Sequence, residues 1–395
     1  MNKQLAPFLA AAVIALAACG GSADSSAVEV PSTTQPDTTP PTTGAPTVTE
    51  VPVTQVPATD APTTDPADSI SEATEGWKVL EPEGDCVCAD GSDFEFWERP
   101  GDPAKVVLYF EGGGACFNAE SCDFEDGSYR SSLELGEAPS MSSGIFDRLN
   151  PENPLADHTI VYVPYCSGDG FLGDATTEYS PDLTVVHNGF NNASEGLDHV
   201  VENYPDVEQL LVTGESAGSI PTALFAGLAA DELPDAEIIT FGDSSGAYPD
   251  VPALNETIGG LWDTTKNIPD WPGTEGLTAA EWGIPSLYIY VGQHAPGVTF
   301  ARFDYAFDET QAFFGALAGV PADELVTLID GSAAEIEAQG VALSSYVAPG
   351  TDHTILSSNE LYEMEVAGVR LIDFLRALIN GEVPPDVHCV ECDAP

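Results

Sequence analysis

The sequence is poor in basic residues. Lysine and arginine together number 10, against 65 aspartates and glutamates, which gives a formal net charge of −55. Because a polyanion repels such a surface, the charge balance excludes nucleic acid as a partner and disfavours a highly charged uronate polymer as a substrate. We interpret nearly all of these carboxylates as a solvating acidic surface, which says little about the fold.

The amino terminus has too short an apolar run and too little flanking charge for a membrane-spanning helix. After Lys3 the chain is almost wholly apolar to position 17, and the stretch LAAC at residues 16–19 closes this run with small residues and a cysteine. This layout predicts that residues 1–19 are a signal peptide with a bacterial lipobox, in which Cys19 is lipidated. We therefore expect an extracytoplasmic protein, lipid-anchored through Cys19 to the bacterial cell membrane or cell surface. The alternative is an ordinary signal that is cleaved nearby.

Residues 20–75 lack the aromatic residues and apolar runs of a folded core. Proline, threonine, alanine and acids dominate this segment, so it cannot bury enough apolar surface to offset the entropy lost on ordering it. We predict a disordered linker here. From Gly76 onward aromatic residues, glycines and apolar runs appear, and residues 76–395 are predicted to form the folded domain.

The cysteines lack the histidine-containing spacings of a zinc site, so we expect no metal. Eight cysteines are present, and without Cys19 seven remain. In an oxidising compartment most of them should pair, and the odd number leaves one thiol free or paired outside the chain. Cys389 and Cys392 in the acidic tail are interpreted as a disulfide rather than as metal ligands.

Apolar strands alternate with helical segments along the folded part. Residues 93–99 and 105–110 are predicted strands, joined by a Pro-Gly-Asp-Pro hairpin turn. Further strands are predicted over 159–164, 207–213, 237–241, 299–306 and 341–347, and helices over 188–203, 217–231, 309–319 and 358–379. Residues 284–291 fit either a strand or a helix. The alternation, with strands apolar on both faces, predicts an α/β fold with a mostly parallel central sheet flanked by helices.

Ser216 stands at the carboxyl end of a predicted strand, where chemistry gathers in open α/β sheets. The segment GESAG at residues 214–218 matches G-x-S-x-G, the pattern of a nucleophile elbow, and a segment compatible with a helix follows it. Both glycines are expected where neighbouring backbone approaches too closely for a Cβ atom. The alternative is a tight turn with an incidental serine.

A glycine run follows the early strand 105–110. It reads Glu-Gly-Gly-Gly-Ala-Cys from residue 111, and it is the counterpart of the HGGG-type loop that supplies one backbone donor to the oxyanion in acyl transfer. The residue after the nucleophile, Ala217, would supply another. A phosphate-binding loop is disfavoured because the Lys-Ser/Thr pair of a P-loop is missing.

The base and acid of a triad of this type follow the serine in the order acid, then histidine. His353, in APGTDHTIL after the last predicted strand, lies where the base would arrive; the other downstream histidines are His294 in a loop and His388 in the tail. For the acid we favour Asp308, which follows strand 299–306. The rivals are Asp243 and, more weakly, Asp304.

Five motifs occur in order before the late His353: YFEGGGACFN, TIVYVPYCSGDGF, LLVTGESAGSIP, GDSSGAY and YAFDETQAFF. Together they resemble the pectin acetylesterase/Notum family of α/β-hydrolase-like serine carboxylesterases, over most of the folded domain. The resemblance implies an α/β-hydrolase-like catalytic domain over residues 76–395. It implies catalytic roles for Ser216, Asp308 and His353 and oxyanion donors at Gly113, Gly114 and Ala217. It also implies disulfides Cys116–Cys122 and Cys88–Cys166, which leaves Cys86 to pair with Cys389 or Cys392.

The sequence departs from that family after the glycines. Where the plant enzymes have tryptophan and animal Notum has Trp-Tyr, this chain has Gly114-Ala115. An aromatic wall of the pocket is therefore absent, so neither acetylated pectin nor the long acyl group of Notum's substrate carries over to this chain.

We expect a monomeric serine carboxylesterase that needs no cofactor. Its substrate would be an ester of a small acyl group such as acetyl, on a small molecule or an acylated glycan, cleared through an acyl-enzyme. The alternative from a different class is a non-catalytic surface binding or adhesion protein on a hydrolase scaffold. A lyase or transferase that uses the same acyl-enzyme is a third interpretation.

Overall fold

The computed structural model describes residues 76–136, 139, 141–317, 319, 321, 324–390 and 392. The predicted signal peptide over 1–19, with Cys19, and the predicted linker over 20–75 lie outside these residues. Among the helices that are described, none combines the length and the apolar character that crossing a membrane requires.

Strands of the described part form one large sheet and two short ladders. In chain order the strands are β1 Lys78–Leu80, β2 Phe96–Arg99, β3 Asp102–Phe110, β4 His158–Val163, β5 Ala175–Ser180, β6 Leu183–His187, β7 Gln209–Glu215, β8 Glu237–Asp243, β9 Thr299–Tyr305, β10 Leu343–Ala348, β11 Glu365–Val366, β12 Val369–Arg370 and β13 Val387–His388. The large sheet has the order β1-β2-β4-β3-β7-β8-β9-β10-β13. From β4 to β13 every neighbouring pair is parallel.

Helices cover both faces of this sheet. They are α1 Gly189–Asn203, α2 Thr222–Glu232, α3 Pro252–Trp262, α4 Ile284–His294, α5 Glu309–Leu317, α6 Leu325–Ala338 and α7 Leu371–Ile379. Val106 and Leu108 of β3 join the core on the side of α1, α2 and α4. Their neighbours Val107 and Tyr109 join the core on the side of α6 and α7. A strand buried on both faces needs apolar residues at every position, which explains the missing alternation. The predicted α/β architecture is confirmed.

The predicted hairpin between the first two strands is wrong. β4 lies between β2 and β3, antiparallel to β2 (Trp97 opposite Tyr162) and parallel to β3 (Val107 opposite Ile160). The turn residues reverse the direction of the chain between β2 and β3, but they do not determine which strands pair in the sheet. Because the apolar end of β3 is fully buried, it takes the equally apolar β4 and β7 as its two neighbours, and this displaces β2 by one position.

The predicted helix over 358–379 is also wrong in its first half. A short 3-10 turn at Asn359–Tyr362 and the β11–β12 ladder precede α7, which begins at Leu371. Ala367 and Gly368 both have positive φ (51° and 82°), a conformation that ends any helix and suits a tight hairpin. The ambiguous segment 284–291 is helical, as part of α4. Helices α3 and α6 had no counterpart among the sequence predictions.

Six of the described cysteines form disulfides: Cys88–Cys166, Cys116–Cys122 and Cys389–Cys392. The expected partnership of Cys86 with Cys389 or Cys392 is therefore wrong, because those two cysteines bond to each other. Cys86 is the free thiol among the described cysteines, and it is buried. Burial, with nearby acids, raises the pKa of this thiol to about 12, so it stays protonated and unreactive.

Candidate active site

Ser216 occupies a strained turn directly after β7. Its φ is 55°, in the left-handed region that residues other than glycine rarely adopt. A Cβ atom at Gly214 would lie 2.3 Å from the carbonyl oxygen of Gly218, and one at Gly218 would lie 2.1 Å from that of Phe110. Both positions therefore require glycine, and the chain turns from strand into a 3-10 turn within one residue. This is the backbone geometry of a nucleophile elbow.

His353 and Asp308 form a close pair. The imidazole Nδ1 lies 2.6 Å from Asp308 Oδ2, and Asp308 is fully buried. The other carboxylate oxygen, Oδ1, accepts from the backbone N–H groups of Thr310 and Gln311, both at 2.9 Å, in the first turn of α5. Because the carboxylate accepts at Nδ1, the proton sits there and Nε2 is left as the basic nitrogen. Burial lowers the pKa of His353, but the hydrogen bond and charge of Asp308, with Asp243 and Glu215, raise it overall.

Ser216 and His353 line the same cavity, which has a volume of about 750 Å³. His353 Nε2 is shielded from solvent and has no hydrogen-bond partner among the described residues. No hydrogen bond joins it to Ser216 Oγ. Such contacts are commonly loose before substrate arrives. The cavity thus holds a basic nitrogen and a serine hydroxyl with no competing partner for the nitrogen.

The glycine run forms one side of this cavity. Neither Gly113 nor Gly114 donates its amide N–H to any acceptor in the described part of the chain, and both line the cavity. A Cβ atom would lie 2.4 Å from the ring of Tyr165 at Gly113 and 2.0 Å from a carbonyl at Gly114, whose φ is +80°. Ala217 is buried in the first turn of the 3-10 helix, where amides lack intrahelical partners, and does not itself line the cavity. These amides are available as donors to an oxyanion.

The two rival acids bond elsewhere. Asp243 Oδ2 accepts from the amides of Ile355 and Leu356 at 2.7 and 2.8 Å, and Asp304 is paired with buried Arg302 at 2.9 Å. Of the three candidate carboxylates, Asp308 is the one that contacts His353 among the described side chains. The remaining histidines named above pair with acids away from the cavity: His294 with Asp231 and His388 with Asp330.

The rest of the cavity wall was not anticipated from the sequence. Its polar side comes from the loop that the Cys116–Cys122 disulfide closes and the residues just after it, and its apolar side from α5. The polar side includes Asn118, Glu120, Ser121, Asp126 and Ser128, and the apolar side Phe313 and Phe314. Phe313 is 52% exposed although it is large and apolar. The α5 residues were within reach of sequence reasoning, because a helix that starts beside Asp308 carries neighbouring positions to the same site.

Gln311 fixes the acid. Its fully buried side chain donates through Nε2 to both Asp308 Oδ2 and Asp304 Oδ1 at 3.1 Å, and its Oε1 accepts from the amide of Ala247. With the backbone donors described above, every acceptor direction of Asp308 is occupied. The contact between Gln311 and Asp308 could have been predicted from their spacing, since Gln311 lies three positions after Asp308 at the start of a predicted helix.

Part of the sequence is similar to known esterases. The pectinacetylesterase family model matches residues 73–260, which include the serine elbow and the glycine run but not His353 or Asp308. Notum of Schmidtea mediterranea, a palmitoleoyl-protein carboxylesterase, is 28% identical over 151 residues, which is 35% of this chain and 27% of that protein. Pectin acetylesterase 5 of Arabidopsis thaliana is 23% identical over 188 residues, 46% of this chain and 44% of that protein. The chain thus aligns with less than half the length of either relative.

A solved structure extends the likeness to the whole fold. The crystal structure of the Wnt deacylase Notum from Drosophila superposes with a TM-score of 0.63, covering 81% of this chain and all of that chain. At 17% sequence identity this likeness shows the fold alone. The predicted α/β-hydrolase-like fold is confirmed.

Proposed function

We propose that this chain, which matches the pectinacetylesterase family model over residues 73–260, is a serine carboxylesterase that hydrolyses acyl esters. The observation that carries the proposal is the His353–Asp308 pair, in which 2.6 Å separates Nδ1 from Oδ2. His353 lines the same cavity as the strained Ser216, and its Nε2 has no hydrogen-bond partner among the described residues. A serine in a left-handed turn, a histidine held in one tautomer and a buried carboxylate are the three parts that this chemistry needs.

The chemistry follows from those positions. Ser216 Oγ attacks the ester carbonyl while His353 Nε2 takes its proton, and Asp308 orients the imidazole and stabilises the imidazolium that forms. The amides of the glycine run and of Ala217 donate to the developing oxyanion. His353 then protonates the leaving alcohol, and a water molecule activated by the same nitrogen clears the acyl-enzyme. These steps use no metal or cofactor.

The two walls of the cavity favour a small acyl group on a hydroxyl-rich, uncharged or cationic alcohol. Phe313 and Phe314 offer a limited apolar surface, their ring centroids 5.2 Å apart. The facing loop offers amide, hydroxyl and carboxylate groups, and no lysine or arginine is among the described residues that line the cavity. An anionic sugar polymer would meet Glu120 and Asp126 there without a compensating positive charge.

An acyl-length series tests the proposal. With purified full-length protein and p-nitrophenyl esters from acetyl to palmitoyl, we expect the highest kcat/KM with the shortest acyl groups. Ser216→Ala should reduce the rate by at least about 10³-fold. Equal rates for the two proteins would refute the esterase and favour the non-catalytic binding scaffold, and a maximum at long acyl groups would refute the small-acyl assignment.

We also propose that the esterase is monomeric and lipid-anchored through Cys19 at the bacterial cell surface. The support is the small-residue stretch that ends in this cysteine and the two acyl chains that such an attachment supplies. Cys19→Ser should move the protein from the detergent phase to the aqueous phase on detergent partitioning. An unchanged distribution would contradict lipidation.

A further inference from the structure

We propose that Asp243, Glu215 and Ser244 are positioning residues that hold the segment after His353, and so present the base to the nucleophile. We call these three residues the carboxylate clamp. The inference rests on the proposed esterase and assigns a role to acidic groups outside the triad. It also gives Asp243, the rival acid, a function that needs no contact with the imidazole.

Asp243 and Ser244 bind three consecutive amides. Asp243 Oδ2 accepts from Ile355 N at 2.7 Å and from Leu356 N at 2.8 Å. Ser244 donates its hydroxyl to Asp243 Oδ1 at 3.0 Å and accepts from Thr354 N at 3.2 Å. Asp243 and Ser244 are fully buried, so these acceptor atoms are not exposed to bulk solvent.

Glu215 extends the same contact to the next residue. Its Oε2 accepts the hydroxyl of Ser357 at 2.9 Å, and it immediately precedes Ser216 in the chain. Glu215 of β7 and Asp243 of β8 are direct partners in the sheet register. The clamp therefore binds residues 354–357, which we call the base segment, to the ends of two adjacent strands. Ser216 directly follows one of these strands.

The base segment needs such support. His353 lies between β10 and the 3-10 turn at 359–362, in a stretch without helix or strand. Thr354 and Ser244 both have positive φ (63° and 68°), conformations that persist only where surrounding contacts impose them. Without the acceptors at strands β7 and β8, the imidazole would keep its bond to Asp308 but lose a fixed distance to Ser216.

Two substitutions of the same residue separate this role from that of a triad acid. In Asp243→Asn the amide oxygen can still accept from both backbone N–H groups, so we expect kcat within about threefold of wild type. In Asp243→Ala both acceptors disappear, and we expect kcat to fall about 10- to 100-fold with KM within about twofold, because a small misplacement of a catalytic group costs this much. Asp352→Ala, an exposed acid beside His353 with no hydrogen bond in the described part, is the matched control and should match wild type.

Hydrogen exchange gives a readout that does not depend on turnover. In Asp243→Ala the amides of residues 354–356 should exchange at least about tenfold faster than in wild type, and in Asp243→Asn they should not. Ser244→Ala, which removes the Thr354 acceptor alone, should give a smaller change of the same kind and serves if Asp243→Ala does not fold. Unchanged exchange in both alanine variants overturns the clamp, even if the wild type proves inactive. Equal damage from asparagine and alanine at Asp243 overturns it in favour of a charge requirement.

Discussion

Ser216 and His353 reach the same cavity by different physical means. On the nucleophile side, which we define as residues 209–218 with the glycine run 112–114, position is fixed by steric exclusion. No side chain fits at Gly214 or Gly218. On the base side, residues 343–358, position is fixed by hydrogen bonds from distant parts of the chain, 45 positions away for Asp308 and 112 for Asp243.

The difference predicts how each side fails. A steric constraint is local and nearly all-or-none, because an atom placed 2.1 Å from a carbonyl oxygen must displace backbone. A set of hydrogen bonds is divisible, because each donor and acceptor can be removed while the others remain. Substitutions of the glycines on the nucleophile side should therefore damage folding and activity together, whereas removal of hydrogen-bond acceptors for the base side should give graded losses of activity.

The largest expected effect comes from Asp308→Asn. Asparagine presents either an oxygen or an NH₂ group to Nδ1 and no longer stabilises the imidazolium; the same change in the serine-protease triad costs about 10⁴-fold in kcat. We expect a loss of about 10³- to 10⁴-fold here, with unfolding in urea close to wild type. Asp243→Asn, measured beside it, should lose far less. A greater loss in Asp243→Asn than in Asp308→Asn would mean that the acid has been assigned to the wrong strand end.

The next largest effect tests the nucleophile side. Gly218→Ala places a methyl group against the carbonyl of Phe110, so β3 and the elbow cannot both keep their positions. We expect a loss of several kcal/mol in the free energy of unfolding, as for other substitutions that force backbone apart. Activity should fall by at least about 10²-fold, measured at a temperature where the variant is folded. Gly260→Ala, at a glycine of α3 where a Cβ meets nothing within 4 Å, is the control. It should leave activity unchanged and raise the free energy of unfolding by up to about 1 kcal/mol, because alanine is the better helix former.

The same difference explains what sequence could predict. The elbow, the glycine run and the strands before them are contiguous patterns, and their steric logic is complete within a few residues. His353 and Asp308 could be proposed only because the chain order of a triad and the strand ends restrict the choice. Their rival, Asp243, has an equally good position at a strand end, and only the spatial contact with Ile355 and Leu356 separates it from Asp308.

What sequence could not predict is pairing at a distance. The order of β2, β4 and β3 depends on which apolar strands bury each other, and a turn signal does not carry that information. The failed helix over 358–379 has a local origin instead, since Ala367 and Gly368 have positive φ and form a hairpin that interrupts the helical pattern. To predict the walls of the cavity, one must know that the disulfide-closed loop and α5 lie on the same cavity. Neither segment alone contains a pattern that indicates the other.

A pH experiment tests Asp243, which accepts hydrogen bonds from the base side and is the sheet partner of Glu215, the residue before the nucleophile. Burial, and then the charge of Glu215, raises the pKa of Asp243 to about 7. The folded protein therefore holds this proton where the unfolded chain, with an aspartate pKa of about 3.9, has lost it. Since the native state binds more protons in that window, the free energy of unfolding should fall as the pH rises from about 4 to about 7.

Asp243→Asn cannot titrate, so its stability should fall less over the same interval. Urea unfolding of wild type, Asp243→Asn and the exposed Asp352→Asn at pH 5 and pH 7.5 measures the difference. The Asp352 variant should follow wild type. If the free energy of unfolding of Asp243→Asn decreases as much as that of wild type, the titration of Asp243 does not cause the pH dependence of stability.

The smallest expected effect concerns charge on the loop beside the glycine run. Glu120 lines the cavity and is exposed, so its influence on a substrate is screened within about 10 Å at 0.1 M salt. We expect Glu120→Gln to raise kcat/KM for a succinyl ester of p-nitrophenol, which is anionic, by about two- to fivefold relative to the neutral butyryl ester, and to lose this advantage in 1 M salt. Glu125→Gln, an exposed acid of the same loop that does not line the cavity, removes an equal charge as the control. Equal shifts in both variants would mean that the whole acidic surface, rather than the cavity wall, selects against anionic esters, because a field from many distant carboxylates does not depend on which one is removed.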